Sequence, residues 1–180
     1  MNKYKYLIVG TGMIGDAAVR GIRELDPNGS VGMIGNKTDM PYARPPLSKG
    51  LWKDSSFEKV WLGTDKLNIE LHLRCQVAEL NPASKSLRDN HGDEYVYDKL
   101  LLATGGSPVH LTFGREEIIY YGRLQDYQRL HALAEQGQRF LVIGAGFIGS
   151  EIAANEASFS NARKVIDWGL RISRGYYFLI

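Results

Sequence analysis

The first 35 residues alternate between short apolar runs and one amphipathic stretch. Residues 5–10 and 30–35 are the apolar runs, and each predicts a strand. Between them, apolar residues recur at helical spacing, which predicts a helix from Ile14 to Leu25. The apolar positions of this helix are Ile14, Ala17, Ala18, Ile22 and Leu25. The opening of the chain therefore predicts a strand–helix–strand unit.

The middle of the chain contains short strand-like segments separated by turn residues. Strands are predicted at 69–73, 75–80, 85–89 and 94–98, and the last three form a small antiparallel meander with turns at 81–84 and 90–93. The apolar run that begins at Lys99 predicts a buried strand that stops at the Thr104-Gly-Gly turn.

The last third repeats the opening pattern. A strand is predicted at 117–121, a helix at 124–136 and another strand from Arg139, which runs into a second glycine-rich turn and helix. Polar residues thin out the apolar face of that helix, at Asn155, Glu156, Ser158, Ser160 and Asn161. A strand is predicted at 164–167, and the tail 168–180 shows no amphipathic pattern, so we expect the second unit to be cut short.

Composition and charge limit the kinds of partner, metal site and cofactor that we expect for this chain. The chain has 180 residues, and its content of 44% hydrophobic and 23% charged residues is typical of a globular protein. Its net charge of +2 points neither to nucleic acid nor to an anionic membrane, and we expect no partner of either kind. No apolar run approaches the roughly 20 residues of a membrane span, so we expect a cytoplasmic protein. One cysteine excludes an internal disulfide, and four histidines without ligand spacing predict no metal site. Redox chemistry would therefore need an organic cofactor.

Two glycine-rich turns carry the chemical signal. Residues 10–15 read GTGMIG and follow the first strand, and residues 144–149 read GAGFIG in the same context. The first glycine permits a tight turn, the second lets the backbone approach phosphates, and the third lets the helix pack on the strand. Helix N-termini also attract anions. Each turn therefore predicts a site for a nucleotide pyrophosphate.

The ribose position after the second strand is unusual. An acidic residue is expected there to hold the ribose hydroxyls, but the sequence has Asn36-Lys37. One interpretation is weaker ribose binding, unless Asp39 reaches in. The other is that Asn36 only ends a turn.

Residues 39–50 form a proline-rich loop with two cations. The prolines restrict the loop and would hold Arg44 and Lys49 in place. The alternative is a stiff surface loop with two solvated cations. Trp52 and Trp61 follow, either as stacking platforms for a flat ring or as core anchors.

Taken in order, GTGMIG, PYARPPLSKG, LLATGGSP and VIGAGFIGSE make the chain resemble the FAD-dependent pyridine nucleotide oxidoreductases. The branch it resembles contains apoptosis-inducing factor and the ferredoxin, rubredoxin and putidaredoxin reductases. The resemblance runs from about residue 4 to 154. It implies an α/β, three-layer FAD/NAD(P)-binding Rossmann-like fold over residues 1–112, with the meander. A partial NAD(P)-binding domain would follow over 113–180, atypical after about 155.

The resemblance also implies site residues. Those expected to bind FAD are Gly10, Gly12, Met13, Ile14, Gly15, Asn36, Lys37, Arg44, Lys49, Val77, Ala103, Thr104 and Gly105. Those expected to bind NAD(P)H are Gly144, Gly146, Phe147, Ile148, Gly149 and Glu151. Lys49 and Glu151 would pair beside the nicotinamide and the flavin as the catalytic residues. The arginine that contacts FAD in the family is displaced here, because Gly122 holds its position and Arg123 follows.

Three functions follow from the resemblance. The first is an enzyme that passes electrons from NAD(P)H through FAD to a small ferredoxin- or rubredoxin-like carrier. The second is a truncated nucleotide-binding fragment without turnover, and the third is a redox-responsive interaction protein.

Asp167 slightly favours NADH, because its charge would repel a 2′-phosphate. A homodimer is a further expectation.

Overall fold

The computed structural model describes residues 1–53, 55–112, 118–144, 146–156 and 177–179. Two compact units make up the chain: Met1–Ala43 with Lys59–Gly106, and Arg44–Glu58 with Ser107–Ile180. We call them unit 1 and unit 2. The strand predicted at 164–167, Asp167 and the polar positions 158–161 lie outside the described residues. The predicted domain boundary at residue 112 stays a prediction.

Unit 1 is built on a six-stranded mixed sheet. Its elements are β1 (Asn2–Val9), α1 (Met13–Leu25), β2 (Val31–Gly35), β3 (Glu70–Leu73), β4 (Val77–Asn81), β5 (Ser86–Asp89) and β6 (Glu94–Leu102). The strand order is β3-β2-β1-β6-β5-β4. Strands β3, β2, β1 and β6 are parallel, and β4, β5 and β6 are joined antiparallel. The predicted strand–helix–strand unit and meander are both confirmed.

Strand β1 lies in the middle of the sheet, between β2 and β6, and apolar side chains cover both of its faces. Leu7 and Val9 belong to one apolar cluster together with Ile34 and Tyr95. Ile8 points to the opposite face and packs in a second cluster with Val19 of α1. A strand buried on both faces reads as a continuous apolar run, which is why residues 5–10 are recognisable in the sequence.

The predicted inner face of α1 is partly wrong. Ala18 and Ile22 do pack against the sheet cluster, but Ile14, Ala17 and Leu25 are exposed. The buried residues of the helix are Gly15, Asp16 and Val19. The contact at Gly15 explains the difference, because a Cβ there would lie 2.3 Å from both the Gly10 carbonyl oxygen and the Met33 methyl carbon. This close approach sets which side of α1 faces the sheet.

The segments predicted at 94–98 and from Lys99 onward form one strand, and its end is not buried. β6 pairs with β1 along its length, from Tyr95 to Leu102. Its register with β5 covers only Glu94 to Val96. The carboxyl half of β6 therefore has a sheet neighbour on one side among the described residues, and Leu102 is 58% exposed.

Unit 2 contains a small parallel sheet with two helices. Its elements are β7 (Ile118–Ile119), α2 (Leu124–Glu135), β8 (Phe140–Val142), α3 (Phe147–Glu156) and β9 (Tyr177–Leu179). The strand order is β7-β9-β8, all parallel. The sequence of the tail shows no structural pattern, but β9 pairs with both neighbours. No helix in the described ranges is long and apolar enough to cross a membrane.

The proline-rich segment of unit 2 is fastened by aromatic side chains. Residues Pro45–Ser48 and Gly50–Trp52 form short 3₁₀ turns. The Leu47 carbonyl accepts hydrogen bonds from the Tyr121 hydroxyl at 2.5 Å and the Trp52 indole at 2.7 Å. The Tyr127 hydroxyl donates to the Leu51 carbonyl at 3.1 Å. The loop is thus held by its backbone, which supports the interpretation of Trp52 as an anchor.

Candidate functional site

The first glycine turn is shaped by backbone contacts. Gly10 has a φ of +127°, and a Cβ at this position would lie 2.0 Å from the Ala103 carbonyl oxygen. The Gly10 N–H donates to the Ile34 carbonyl at 2.7 Å, and the Ala103 N–H donates to the Val9 carbonyl at 2.7 Å. The ends of β1, β2 and β6 therefore meet at this turn, as the motif predicts.

The space above the turn suits an anion. A Cβ at Gly12 would meet nothing within 4 Å. Gly12 is also the N-cap residue of α1, and it supplies no side-chain cap. A helix N-terminus carries partial positive charge. Beside it, the buried Thr11 hydroxyl oxygen has no hydrogen-bond partner in the described part of the chain. These features fit the diphosphate of a dinucleotide.

The predicted ribose and adenine residues gather at the end of β2. Asn36 is exposed directly after the strand, and the Lys37 ammonium lies 5.3 Å from the centre of the Tyr42 ring. The segment before Val77 runs along the same end, because the Arg74 N–H donates to the Lys37 carbonyl at 2.9 Å. Among parallel strands such ends are where nucleotides bind. Ala103, Thr104 and Gly105 follow the end of β6.

The second glycine turn repeats the packing of the first. A Cβ at Gly149 would lie 2.0 Å from the Gly144 carbonyl oxygen, just as Gly15 packs on Gly10. Gly144 has a φ of +113°, but a Cβ there would meet nothing within 4 Å in the described structure, and neither would one at Gly146. Phe147 is 91% and Ile148 50% exposed. The second turn therefore packs on its helix as the first turn does, and among the described residues no backbone lies against Gly144 as Ala103 lies against Gly10.

Lys49 and Glu151 form the predicted ion pair. The Lys49 ammonium nitrogen lies 3.4 Å from Oε1 of Glu151. The Ser48 hydroxyl donates to Oε2 at 2.6 Å, and the Asn155 amide donates to the Ser48 carbonyl at 2.8 Å. The pKa of Glu151 is lowered, first by the Ser48 hydrogen bond and then by Lys49. The catalytic role of the pair stays a prediction.

Sequence reasoning missed Ser48 and Asn155. Asn155 stood out only as a polar interruption of an apolar face. The available signal was its position four residues after Glu151, because residues at this spacing share one side of a helix.

The two remaining predicted cations lie elsewhere in unit 2. Arg44 is exposed at the start of the turn Pro45–Ser48. The backbone N–H groups of Gly122 and Arg123 donate to the Asp126 carboxylate at 3.1 and 2.7 Å, which caps α2. Residue 123 thus has a structural position at a helix start. In the ranges that the structure describes, no group of three or more His, Cys, Asp or Glu is arranged to hold a metal ion.

Comparison with known proteins identifies the family. The pattern of the pyridine nucleotide-disulphide oxidoreductases matches residues 4–176. Terpredoxin reductase from a Pseudomonas species is 35% identical over 172 residues, which cover 92% of this chain and 42% of that protein. The putative apoptosis-inducing factor 1 of Drosophila melanogaster is 31% identical over 86% of this chain and 26% of its own length.

Solved structures agree with this assignment. The chain aligns with a crystal structure of the covalent putidaredoxin reductase–putidaredoxin complex with a TM-score of 0.81 and 30% identity, over 92% of this chain and 42% of that one. The chain therefore spans about two-fifths of the length of such relatives. The resemblance inferred from the four motifs is confirmed. This chain belongs to the pyridine nucleotide-disulphide oxidoreductase family.

Proposed function

We propose that the chain is the nucleotide-binding part of an FAD-dependent NAD(P)H oxidoreductase that delivers electrons to a small ferredoxin- or rubredoxin-like carrier. The observation that carries the proposal is the repeated turn. Gly15 on Gly10 and Gly149 on Gly144 pack in the same way, each at the start of a helix that follows a buried strand. One chain thus has two places for a dinucleotide, which suits an enzyme that works with two of them.

The residue roles follow the family pattern. A bound FAD would supply the chemistry of hydride acceptance and of single-electron release. The N-terminus of α1, with Gly12, Met13 and Ile14, would hold the FAD diphosphate. The N-terminus of α3 would hold the diphosphate of NAD(P)H, and Glu151 with Lys49 would orient the nicotinamide. NADH as the preferred donor rests on Asp167, which lies outside the described residues.

The partner is proposed from the relatives. The crystallised relative is joined to putidaredoxin, and another relative is a terpredoxin reductase. A carrier of this class would accept the electrons. Because this chain covers 42% of those proteins, the acceptor surface is proposed for the whole enzyme. A cytoplasmic location and a homodimer remain proposals.

A second candidate is nucleotide binding without turnover. The observation that favours it is the coverage, because this chain spans 42% of the length of terpredoxin reductase. If residues outside this span complete the NAD(P)H site in the relatives, the chain alone would retain FAD without reducing it.

A flavin spectrum separates the two candidates. The purified chain is incubated with FAD, desalted and titrated anaerobically with NADH and then NADPH. The proposed enzyme retains flavin and its absorbance bleaches with NADH, whereas the second candidate retains flavin that stays oxidised.

Two variants tie the result to the first turn. Gly12→Val fills the open space over the N-terminus of α1, so it should abolish flavin retention. Gly21→Val is the matched control, because a Cβ at this glycine of the same helix would also meet nothing within 4 Å, and it should retain flavin. Flavin bound equally by both variants would overturn the assignment of the turn.

A further inference from the structure

We propose that Ser48 and Asn155 are positioning residues that fix the Glu151 carboxylate beside Lys49. The inference rests on the proposed function, because that function gives the Lys49–Glu151 pair a role in orienting the nicotinamide. It assigns to Ser48 and Asn155 the task of holding that pair in one geometry.

The strength of the contacts shows which partner holds Glu151. The side chain of Lys49 is 62% exposed, and its nitrogen is 3.4 Å from the carboxylate. An exposed ion pair of this kind orders its members weakly, because water screens it. Ser48 is buried, and its hydroxyl is 2.6 Å from the other carboxylate oxygen. Hydrogen bonds to an ionised group are short and strong. Ser48 is therefore the contact that orients the carboxylate.

Asn155 lies on the same helix as Glu151 and makes a second contact with Ser48. It lies one turn after Glu151 on α3, and its amide donates to the Ser48 carbonyl at 2.8 Å. Helix α3 therefore holds Ser48 at two points: the hydroxyl through Glu151 and the carbonyl through Asn155. Such a two-point contact fixes both the position and the rotation of the serine backbone.

The segment that carries Ser48 is itself rigid. Pro45 and Pro46 restrict the 3₁₀ turn that ends at Ser48. The adjacent Leu47 carbonyl accepts two side-chain hydrogen bonds, and the Lys49 N–H donates to the Pro46 carbonyl at 3.1 Å. The hydroxyl is thus a prearranged donor. Since one carboxylate oxygen is occupied by Ser48, the other faces Lys49.

The test is a titration of the Glu151 carboxyl carbon by NMR in protein labelled at glutamate. In Ser48→Ala the titration midpoint should rise toward the ordinary range of a glutamate, and in Ser48→Thr it should stay near that of the wild type. Asn155→Ala should give a smaller rise. Ser84→Ala, at an exposed serine paired with Ser86, is the matched control and should change nothing. An unchanged midpoint in Ser48→Ala would overturn the proposal.

Lys49→Met decides the question if Ser48→Ala does not fold. Lys49 is exposed, so its removal should leave the fold intact. Among the described residues it is the charged group paired with Glu151. A midpoint that stays low without Lys49 supports Ser48 as the holding contact. A midpoint that returns to the ordinary range assigns the effect to Lys49 and overturns the proposal.

The kinetic consequence is measured separately. In flavin-loaded protein, Ser48→Ala should slow reduction of the flavin by NADH about tenfold, and Ser48→Thr should restore it. The NMR titration needs neither FAD nor NADH. If the chain proves unable to bind flavin, the proposed function fails while the positioning of Glu151 is still decided by the titration.

Discussion

The glycines of the first turn are required for different physical reasons. Gly10 is required by the fold, since its φ of +127° and the Ala103 carbonyl leave no room for a Cβ. Gly12 is surrounded by open space. Its lack of a side chain matters only when a ligand approaches. The two positions can therefore be separated experimentally.

Gly10→Ala should destabilise the protein strongly. The Cβ would overlap backbone rather than a flexible side chain, and the left-handed conformation adds strain, so we expect a loss of at least about 3 kcal/mol. Gly12→Ala should cost less than about 1 kcal/mol. The free energies of unfolding in urea, followed by circular dichroism, measure both. Equal stability of the two variants would contradict the contact with Ala103.

Asp26 gives unit 1 a defined response to acid. Its pKa is lowered from 3.8 to about 2, chiefly by the hydrogen bond from Lys5 at 2.7 Å. The Gly29 N–H and the Tyr6 hydroxyl also donate to it. A lowered carboxyl pKa stabilises the folded state above the unfolded-state value, and the contribution is lost as the pH falls through the folded-state value.

Stability should therefore decline between pH 3.8 and about 2 in the wild type and decline less in Asp26→Asn. Urea midpoints measured across this range test the difference. Asp65→Asn, at an exposed aspartate of the same unit, is the matched control. Parallel curves for the wild type and Asp26→Asn would rule out this role of Asp26.

At the scale of elements, α1 is fastened at both ends. Gly15 packs its start against Gly10 and Met33. Near its end, the Arg23 guanidinium donates to four carbonyls: Leu67 at 2.8 Å, Asn68 at 2.5 Å, Asp26 at 3.1 Å and Gly29 at 2.8 Å. One side chain thus joins the helix to the two loops beside it.

Arg23→Met should cost about 2–4 kcal/mol, because it leaves several carbonyls without their charged donor. Arg88→Met is the matched control. Arg88 pairs with the exposed side chains of Glu79 and Glu94, and exposed pairs contribute about 1 kcal/mol or less. Thermal and urea unfolding of both variants provide the comparison. A loss at Arg23 no larger than that at Arg88 would contradict the bridging role.

The elements also show where sequence reasoning succeeds. The strands of unit 1 and both glycine turns were predictable, because apolar runs and turn residues are local signals. The face of α1 was not, since it depends on the approach of Gly15 to Met33 across the sheet. The exposed end of β6 was missed for a similar reason. A run of leucines does not reveal which strand lies beside it.

The Lys49–Glu151 pair was predicted only through the resemblance. Its supporting contact between Asn155 and Ser48 joins residues 107 positions apart, and no local pattern connects them. The sequence shows that Asn155 is a polar residue on α3, but it does not show that Ser48 is the hydrogen-bond partner of Asn155.

At the scale of the molecule, we expect the protection of backbone amides against hydrogen exchange to depend on where each strand lies in the sheet of unit 1. β1 lies between β2 and β6 and is buried at Leu7 and Ile8, whereas β4 is an exposed edge. Amides of Leu7–Val9 should therefore exchange most slowly and those of β4 much faster. Mass spectrometry of peptides after deuterium labelling measures this. Faster exchange in β1 than in β4 would contradict the sheet order.

The segment that carries Ser48 has a consequence for synthesis on the ribosome. It is flanked in sequence by unit 1 but belongs with residues 107–180. At about 5–20 residues per second, Asn155, which lies 107 positions later, is made roughly 5–20 s after Ser48. The last strand of the unit 1 sheet ends at Leu102. That sheet is therefore complete in sequence about halfway through the interval, before the helix that contacts the proline-rich segment has been made. A slow codon stretch before residue 147 would lengthen the interval, and a chaperone that binds short apolar segments would find Leu47 and Leu51 available.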